Sequence, residues 1–251
     1  MRKNWIRIFS LCMLTLSISA SAVNPILEKI RGNAKADTEA RQKFREELKE
    51  MDRNQILQAL PLGKDTALIR KMQLKQGQIL LREYEKLNSE RLKIFGKDIK
   101  KDAHKSEQVM VEKFRKGEVL VVSIPSKLIF MPNGTEMTQN ASEYLRPLLK
   151  FLRNPDMYWM ILDMHTDNTG SRQYSDSLAV SRVETVYDWI SNSGADTDYV
   201  FLSATGSSEP LPGTSNISME ERARNRRMEV YLVPGKKMLD EAQKGRISFA
   251  K

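Results

Sequence analysis

Four short apolar runs constrain this chain most: Glu118–Ile124 (EVLVVSI), Tyr158–Met164 (YWMILDM), Tyr199–Leu202 (YVFL) and Arg227–Val233 (RMEVYLV). Each is rich in β-branched and aromatic residues and has the length of a strand. Helical spacing fills the gaps between them. Ala141, Leu145, Leu148, Leu149 and Leu152 recur every three or four residues and stop at Asn154-Pro155, with Thr138 as the expected N-cap. Val183, Val186, Tyr187 and Ile190 form a second stripe that ends at Asn192-Ser193-Gly194, and Met219–Arg224 has the length of a short helix. Leu128–Phe130 is expected to continue the first strand towards the loop Met131–Gly134. The order strand–helix–strand–helix–strand–(helix)–strand predicts an α+β or α/β sandwich, with helices packed on one side of a sheet.

Before residue 118 the pattern changes. Glycine and proline become rare and charge dominates. Ala40, Phe44, Leu48 and Met51 predict one helix, halted at Leu60-Pro61-Leu62-Gly63. Leu68, Met72, Leu80, Tyr84, Leu87 and Ile94 predict a second, with Asp65 as N-cap and Gly77 inside it. Ile99, Ala103, Met110 and Phe114 predict a third, closed by Arg115-Lys116-Gly117 as a basic last turn and glycine cap. The expectation is an all-α arm, residues 23–117, built as a helical hairpin, a three-helix bundle or a coiled coil. It would act either as a spacer or as a surface for an envelope partner or a second copy. The heptad register is too broken to choose dimer over bundle. His104, among lysines, is expected to face solvent.

The N-terminus carries Arg2, Lys3 and Arg7, then an apolar segment from Ile8, then Ala20-Ser21-Ala22. This is the pattern of a secretory signal peptide, residues 1–22, cut after Ala22. The stretch Ile8–Ala22 is thinned by serines and falls short of the roughly 20 residues a membrane span needs, which argues against an uncleaved anchor. Cys12 is the only cysteine, so the mature chain would have no thiol, disulfide or lipid attachment point. The net charge of +9 falls to +6 without the three signal-peptide cations (9 − 3). A secreted basic chain without an aromatic-basic motif does not point to nucleic acid.

Between the second strand and the second helix lies His165-Thr166-Asp167-Asn168-Thr169-Gly170. Asp167 sits at a strand end, and Arg182 follows within the next helical segment. An acid and a guanidinium facing one pocket hold a zwitterion, the carboxylate taking an ammonium and the guanidinium a carboxylate. Ser181-x-x-Glu184 has a capping-box pattern, which would start a fresh helical turn at Arg182 and aim backbone N–H groups at an anion. Taken singly, such an Asp is usually an Asx-turn residue and such an Arg a surface ion pair. Arg226 and Arg227, adjacent on a strand, point to opposite faces, so only one serves the pocket. His165 shares a strand face with Asp163 and is expected to be buried.

His165-Thr-Asp-Asn-Thr-Gly170, Leu178-x-x-Ser-Arg182 and Asn225-Arg-Arg-Met-Glu-Val230, in that order, resemble the OmpA-like peptidoglycan-binding domain. The resemblance covers about residues 118–233, followed by a charged tail, 234–251. It implies a βαβαβ(α)β domain with a mixed sheet. It also implies a ligand, the diaminopimelate residue of the peptidoglycan stem peptide, whose free end is a zwitterion. Carried over by position, Asp167 would take the ammonium and Arg182 the carboxylate, with Asn133, Thr166 and Arg226 as secondary contacts. Two positions depart from the family: Met131, where an aspartate is common, and Ser175, where an asparagine follows the tyrosine. The implied role is non-covalent tethering to the cell wall in the periplasm, with any link to the outer membrane made through another protein. The alternative is a scaffold whose arm recruits a partner, the wall domain being a foothold. No catalytic residue, metal site or cofactor is expected: there is no Gly-x-Ser-x-Gly elbow, and metal sites need three or four converging ligands.

Overall fold

The computed structural model describes residues 34–60, 66–94, 108–154 and 156–246. The expected signal peptide, Cys12, the Asp65 cap and His104 lie outside them. Two compact units divide at Glu47/Leu48. In the first, the described residues belong to helix α1 (Ala34–Lys49), which crosses into the second. The second contains everything else: α2 (Arg53–Ala59), α3 (Thr66–Ile94), β1 (Met110–Phe114), β2 (Val119–Pro125), α4 (Ser126–Ile129), α5 (Ala141–Leu149), β3 (Tyr158–His165), α6 (Arg172–Asn192), β4 (Val200–Gly206), α7 (Met219–Asn225), β5 (Arg227–Pro234) and α8 (Lys236–Gln243).

The sheet is five-stranded in the order β1-β2-β5-β3-β4 and mixed: β3–β4 is parallel, the other pairs antiparallel. Because side chains alternate, each strand serves two faces. Leu120, Val122, Ile124, Met160, Leu162, Met164, Met228, Val230 and Leu232 point to one face and join a core with residues of α3, α5 and α6. Asp163, His165, Arg227, Glu229 and Tyr231 point to the other, where Arg53 of α2 lies over the Tyr231 ring, 5.4 Å from its centroid. Helical elements therefore cover both faces, against the expected one.

Several expectations shift accordingly. The predicted third helix is in part a strand: Met110–Phe114 pairs antiparallel with Val119–Ser123. Five residues, Met-Val-Glu-Lys-Phe, are too few to fix a period, and pairing with a buried strand decides the outcome. Arg115, Lys116 and Gly117 are the hairpin turn, with φ of 48°, 58° and 91°, left-handed backbone that glycine adopts without strain. Nor do α2 and α3 form a free-standing bundle. Tyr84 of α3 is fully enclosed and its hydroxyl donates to the Tyr144 carbonyl at 2.8 Å. Gln73 donates to the carbonyls of Glu118 and Leu232 at 3.0 and 3.1 Å. The boundary expected at residue 117 thus falls inside one compact unit. Leu128–Phe130 is mostly the short helix α4 rather than strand. Thr138 does not cap α5, which starts at Ala141; its hydroxyl donates to the Leu128 carbonyl and ties the loop to α4. In the tail, α8 buries Met238 and Ala242.

Gly77 explains how α3 comes so close. A Cβ there would stand 3.0 Å from Leu120 Cδ2, tighter than side chains normally pack. Gly77→Val is expected to destabilise the protein by about 1–3 kcal/mol through overpacking, read as a lower urea midpoint. An unchanged midpoint would mean that α3 does not press on β2.

Candidate functional site

β3 ends at His165, and the chain turns out of the sheet with the Thr166 N–H donating to the Gly206 carbonyl at 2.9 Å. Asp167 Oδ1 accepts from the Thr169 N–H at 2.9 Å, an Asx turn. Its other oxygen, Oδ2, accepts from Arg226 Nη1. Arg226 stands at the junction of α7 and β5, where its carbonyl accepts from the Ser126 N–H at 2.9 Å. Burial alone would raise the Asp167 pKa, but the Thr169 amide and the Arg226 guanidinium more than offset it and hold the carboxyl below its usual range.

Arg182 comes from the middle of α6. Its Nε donates to the Gly134 carbonyl at 2.9 Å and Nη2 reaches the Met131 carbonyl at 3.5 Å, while the guanidinium lies over the Phe130 ring, 5.0 Å from the centroid. Burial, then the positive charge of Arg226, lowers its pKa, and Asp167 acts in the opposite sense. Nη1 has no hydrogen-bond partner among the described residues and is not among the sealed polar atoms. That corner of the guanidinium is open. Asp167 and Arg182 are 7% and 4% exposed, whereas the Arg226 side chain is 43% exposed. Arg226 is therefore the most exposed of these three charged groups.

The two expected residues do not bond each other; Asp167 is paired with Arg226 instead. Asn133 has left-handed backbone (φ 55°) and offers its carbonyl to the Tyr174 hydroxyl at 3.4 Å. Thr166 is buried, and its Oγ1 has no partner among the described residues. The fresh helical turn expected at Arg182 is absent. α6 runs unbroken from Arg172 with Ser171 as N-cap, and the Ser181 carbonyl accepts from the Thr185 hydroxyl. Arg182 therefore lies inside α6 and not at its N-terminus. Met131 and Tyr174 are half exposed beside it, and Ser175 is buried.

A second cluster escaped the sequence reading. Asp163 on β3 sits directly across from Glu229 on β5, and His165 across from Arg227. Like charges opposed across a ladder repel, the more so when enclosed. Cations answer them. Arg53 Nη1 donates to Asp163 Oδ2 at 2.8 Å and lies 3.8 Å from Glu229 Oε2, and Arg227 Nε donates to Glu229 Oε1 at 2.6 Å. His165 Nε2 faces Asp163 Oδ2 at 3.2 Å and Glu229 Oε2 at 3.5 Å, and neither ring nitrogen makes a directed hydrogen bond. Burial alone would lower the His165 pKa; the two carboxylates outweigh it and raise it. Desolvation works against the charged forms of Asp163 and Glu229 as well, yet His165 and the arginines hold both carboxyls below their usual range.

Asp163, His165 and Glu229 lie within 4.8 Å of one another and have the donor chemistry of a cation site. The cation there is guanidinium: Arg53 and Arg227 take the carboxylate oxygens that an ion would need. A crevice of about 210 Å³, lined by Gln76, Ile79, Glu83, Lys150, Met157 and Met238 among others, shares no residue with either cluster.

Residues 129–226 match the OmpA family. Outer membrane protein A of Bordetella avium is 26% identical over 111 residues, 44% of this chain and 53% of that protein. The chain thus spans about half the length of this curated relative. Among solved structures, the cell wall anchor of the type VI secretion system (T6SS) from Pseudomonas aeruginosa is 24% identical with a TM-score of 0.45, covering 53% of this chain and 92% of that one. The periplasmic domain of Helicobacter pylori MotB is 23% identical with a TM-score of 0.45, covering 57% and 89%.

Removing one partner of an enclosed charge cluster strands the others. Asp163→Ala is expected to cost about 3–5 kcal/mol in urea unfolding at neutral pH. Asp163 and Glu229 have lowered folded pKa values, so their stabilisation is complete above the unfolded carboxyl value of ~4 and is lost as pH falls through the folded values. The raised value of His165 acts in the opposite direction, complete below ~6.5 and lost as pH rises through its folded pKa. A wild-type unfolding free energy that does not decline on acidification below pH ~4 would contradict this cluster.

Proposed function

Taking residues 129–226 as a domain of the OmpA family, we propose that the chain binds peptidoglycan non-covalently and tethers itself to the cell wall. The ligand in this reading is the free amino-acid end of the diaminopimelate stem residue. One observation carries it: an Asx-turn carboxylate, Asp167, and two guanidiniums, Arg182 and Arg226, converge at the end of β3.

Asp167 already has a cationic partner. An incoming ammonium competes with Arg226 for Oδ2, and the displaced guanidinium joins the open corner of Arg182 in taking the ligand carboxylate. The carboxyl is ionised and both arginines are charged at neutral pH, so no proton has to move. Asn133 and Thr166 border the turn as secondary contacts, Asn133 through its backbone geometry.

Each charge-assisted contact contributes roughly 1.5–3 kcal/mol, which sets single-peptide affinity on the order of micromolar or weaker. The wall repeats the ligand, and rebinding raises retention. Such a site holds rather than transforms, and no residue is assigned a catalytic role. The reading places the chain in the periplasm; among the described residues no helix is long and apolar enough to cross a membrane.

The second reading is a scaffold whose N-terminal arm engages a partner or a second copy, with the wall domain as its foothold. Deleting residues 23–47 would then abolish partner recovery while leaving wall binding intact.

The test of the wall site is pelleting with isolated sacculi. Asp167→Ala and Arg182→Ala are each expected to fold as the wild type does and to remain in the supernatant. Retention of either variant on the wall contradicts the assignment.

A further inference from the structure

Arg53 lies on α2, far upstream of the family-matched residues, yet it contacts three separate parts of the domain. Its Nη1 donates to Asp163 of β3 at 2.8 Å, its Nη2 donates to Glu209 in the loop after β4, and its guanidinium lies over Tyr231 of β5. It is 8% exposed. A Gln55–Asp52 capping box fixes the start of α2, and the Arg115 guanidinium donates to the Leu57 carbonyl near its end.

Asp163, the residue Arg53 holds, sits where the β3–β4 ladder loses register. Asp163 pairs with Ser203, but His165 pairs with Gly206, so β4 carries an extra residue. The Asp163 carboxylate accommodates that bulge. Oδ1 accepts the Thr205 N–H at 3.1 Å, and Oδ2 accepts the Thr205 hydroxyl at 2.9 Å. The next residue, Gly206, has a φ of +60°, left-handed backbone that favours glycine, and a Cβ there would displace the Asp176 carboxylate, 2.6 Å away. Its carbonyl accepts the Thr166 N–H, and the residue after Thr166 is Asp167. Bulges beside functional loops re-aim side chains.

We infer that Arg53 is a positioning residue for the Asp167 site: its guanidinium holds the Asp163 carboxylate on the β4 bulge, and the bulge aims the Thr166–Asp167 turn. The segment outside the matched region is then part of the binding apparatus, and displacing α2 loosens the site. The ligand-binding half of this inference rests on the wall-binding reading above; the structural half does not.

The groups facing His165 are Asp163 on its own strand, Glu229 and Arg227 on β5, and Arg53 on α2. Tyr231 and Glu209 act through Glu229 and Arg53 respectively. While Arg53 is present, Asp163 keeps a permanent cation whatever the state of the imidazole. Without it, His165 is the remaining cation against Asp163, and the site becomes sensitive to pH.

The experiment uses the mature chain with Arg53→Met and Arg53→Lys. Amide hydrogen exchange at Thr166 and Thr205 is read by NMR, and affinity for a diaminopimelate-containing muramyl tripeptide is measured from pH 5.5 to 8.5. Arg53→Met is expected to speed exchange at both amides and to weaken the tripeptide by about tenfold, well within the effect of a misplaced side chain. Its binding should fall further as pH rises and His165 loses its proton, while the wild type stays flat. Arg53→Lys should restore part of both readouts. A folded Arg53→Met with wild-type exchange at Thr166 and Thr205 overturns the inference, whatever its affinity. If Arg53→Met fails to fold, Thr205→Val removes a donor to Asp163 without touching α2; unchanged exchange at Thr166 in that variant also overturns it. If the wild type itself ignores the tripeptide, the wall-binding reading fails, and the exchange readout alone decides the role of Arg53.

Discussion

Two carboxylates, Asp163 and Glu229, face each other across neighbouring antiparallel strands with almost no access to water. Left alone, that pair would push β3 and β5 apart. His165 and Arg227 lie within the same strands, but Arg53 arrives from more than a hundred residues away. The second face of the sheet is therefore built around charge, and α2, through Arg53, is a structural part of it. Replacing such a cluster with apolar side chains can be neutral or stabilising. Its place here fits a role in fixing geometry more than one in adding stability.

Geometry is what the binding site needs. Even-numbered residues of β3 point into the apolar core and odd-numbered residues to the other face, where Asp163 and His165 join the charge cluster, and Asp167 follows shortly after the strand ends. Arg226 precedes β5, one residue before the clustered Arg227. Arg182 comes from α6 on the core side, fixed by the backbone carbonyls of the Met131–Gly134 loop. The site thus lies at the end of the sheet, where the two layers meet, and both layers control it. Arg226 already satisfies the Asp167 carboxylate; in the proposed reading a ligand ammonium would exchange for it.

Much of this was legible in the residues. The four apolar runs are strands because their length and their β-branched and aromatic content leave few alternatives, and Val183, Val186 and Ile190 lie on the buried side of α6. Asp167 and Arg182 could be singled out because a turn and a helix stripe bracket them. The Ser181-x-x-Glu184 pattern misled because Ser171 already caps the helix, and an uninterrupted helix satisfies the N–H groups that a second cap would serve. Met110–Phe114 was misread because five residues do not fix a period until β2 lies beside them. Arg53 gave no local sign at all. A pairing with Asp163 at that separation depends on the register of β3 against β5 and the docking of α2, neither of which a local window contains. His165 falls between these cases: its burial and shared face with Asp163 were readable, but the opposing Glu229 was not.

The central claim is that this site holds a zwitterion with an acid and a guanidinium. The most direct measurement is calorimetric titration of the mature protein with two soluble stem tripeptides, one ending in diaminopimelate and the other in lysine, which lacks the second carboxylate. The account requires the diaminopimelate peptide to bind at least about tenfold more tightly, the difference of one charge-assisted contact of roughly 1.5 kcal/mol or more. Equal affinities for the two peptides would contradict it.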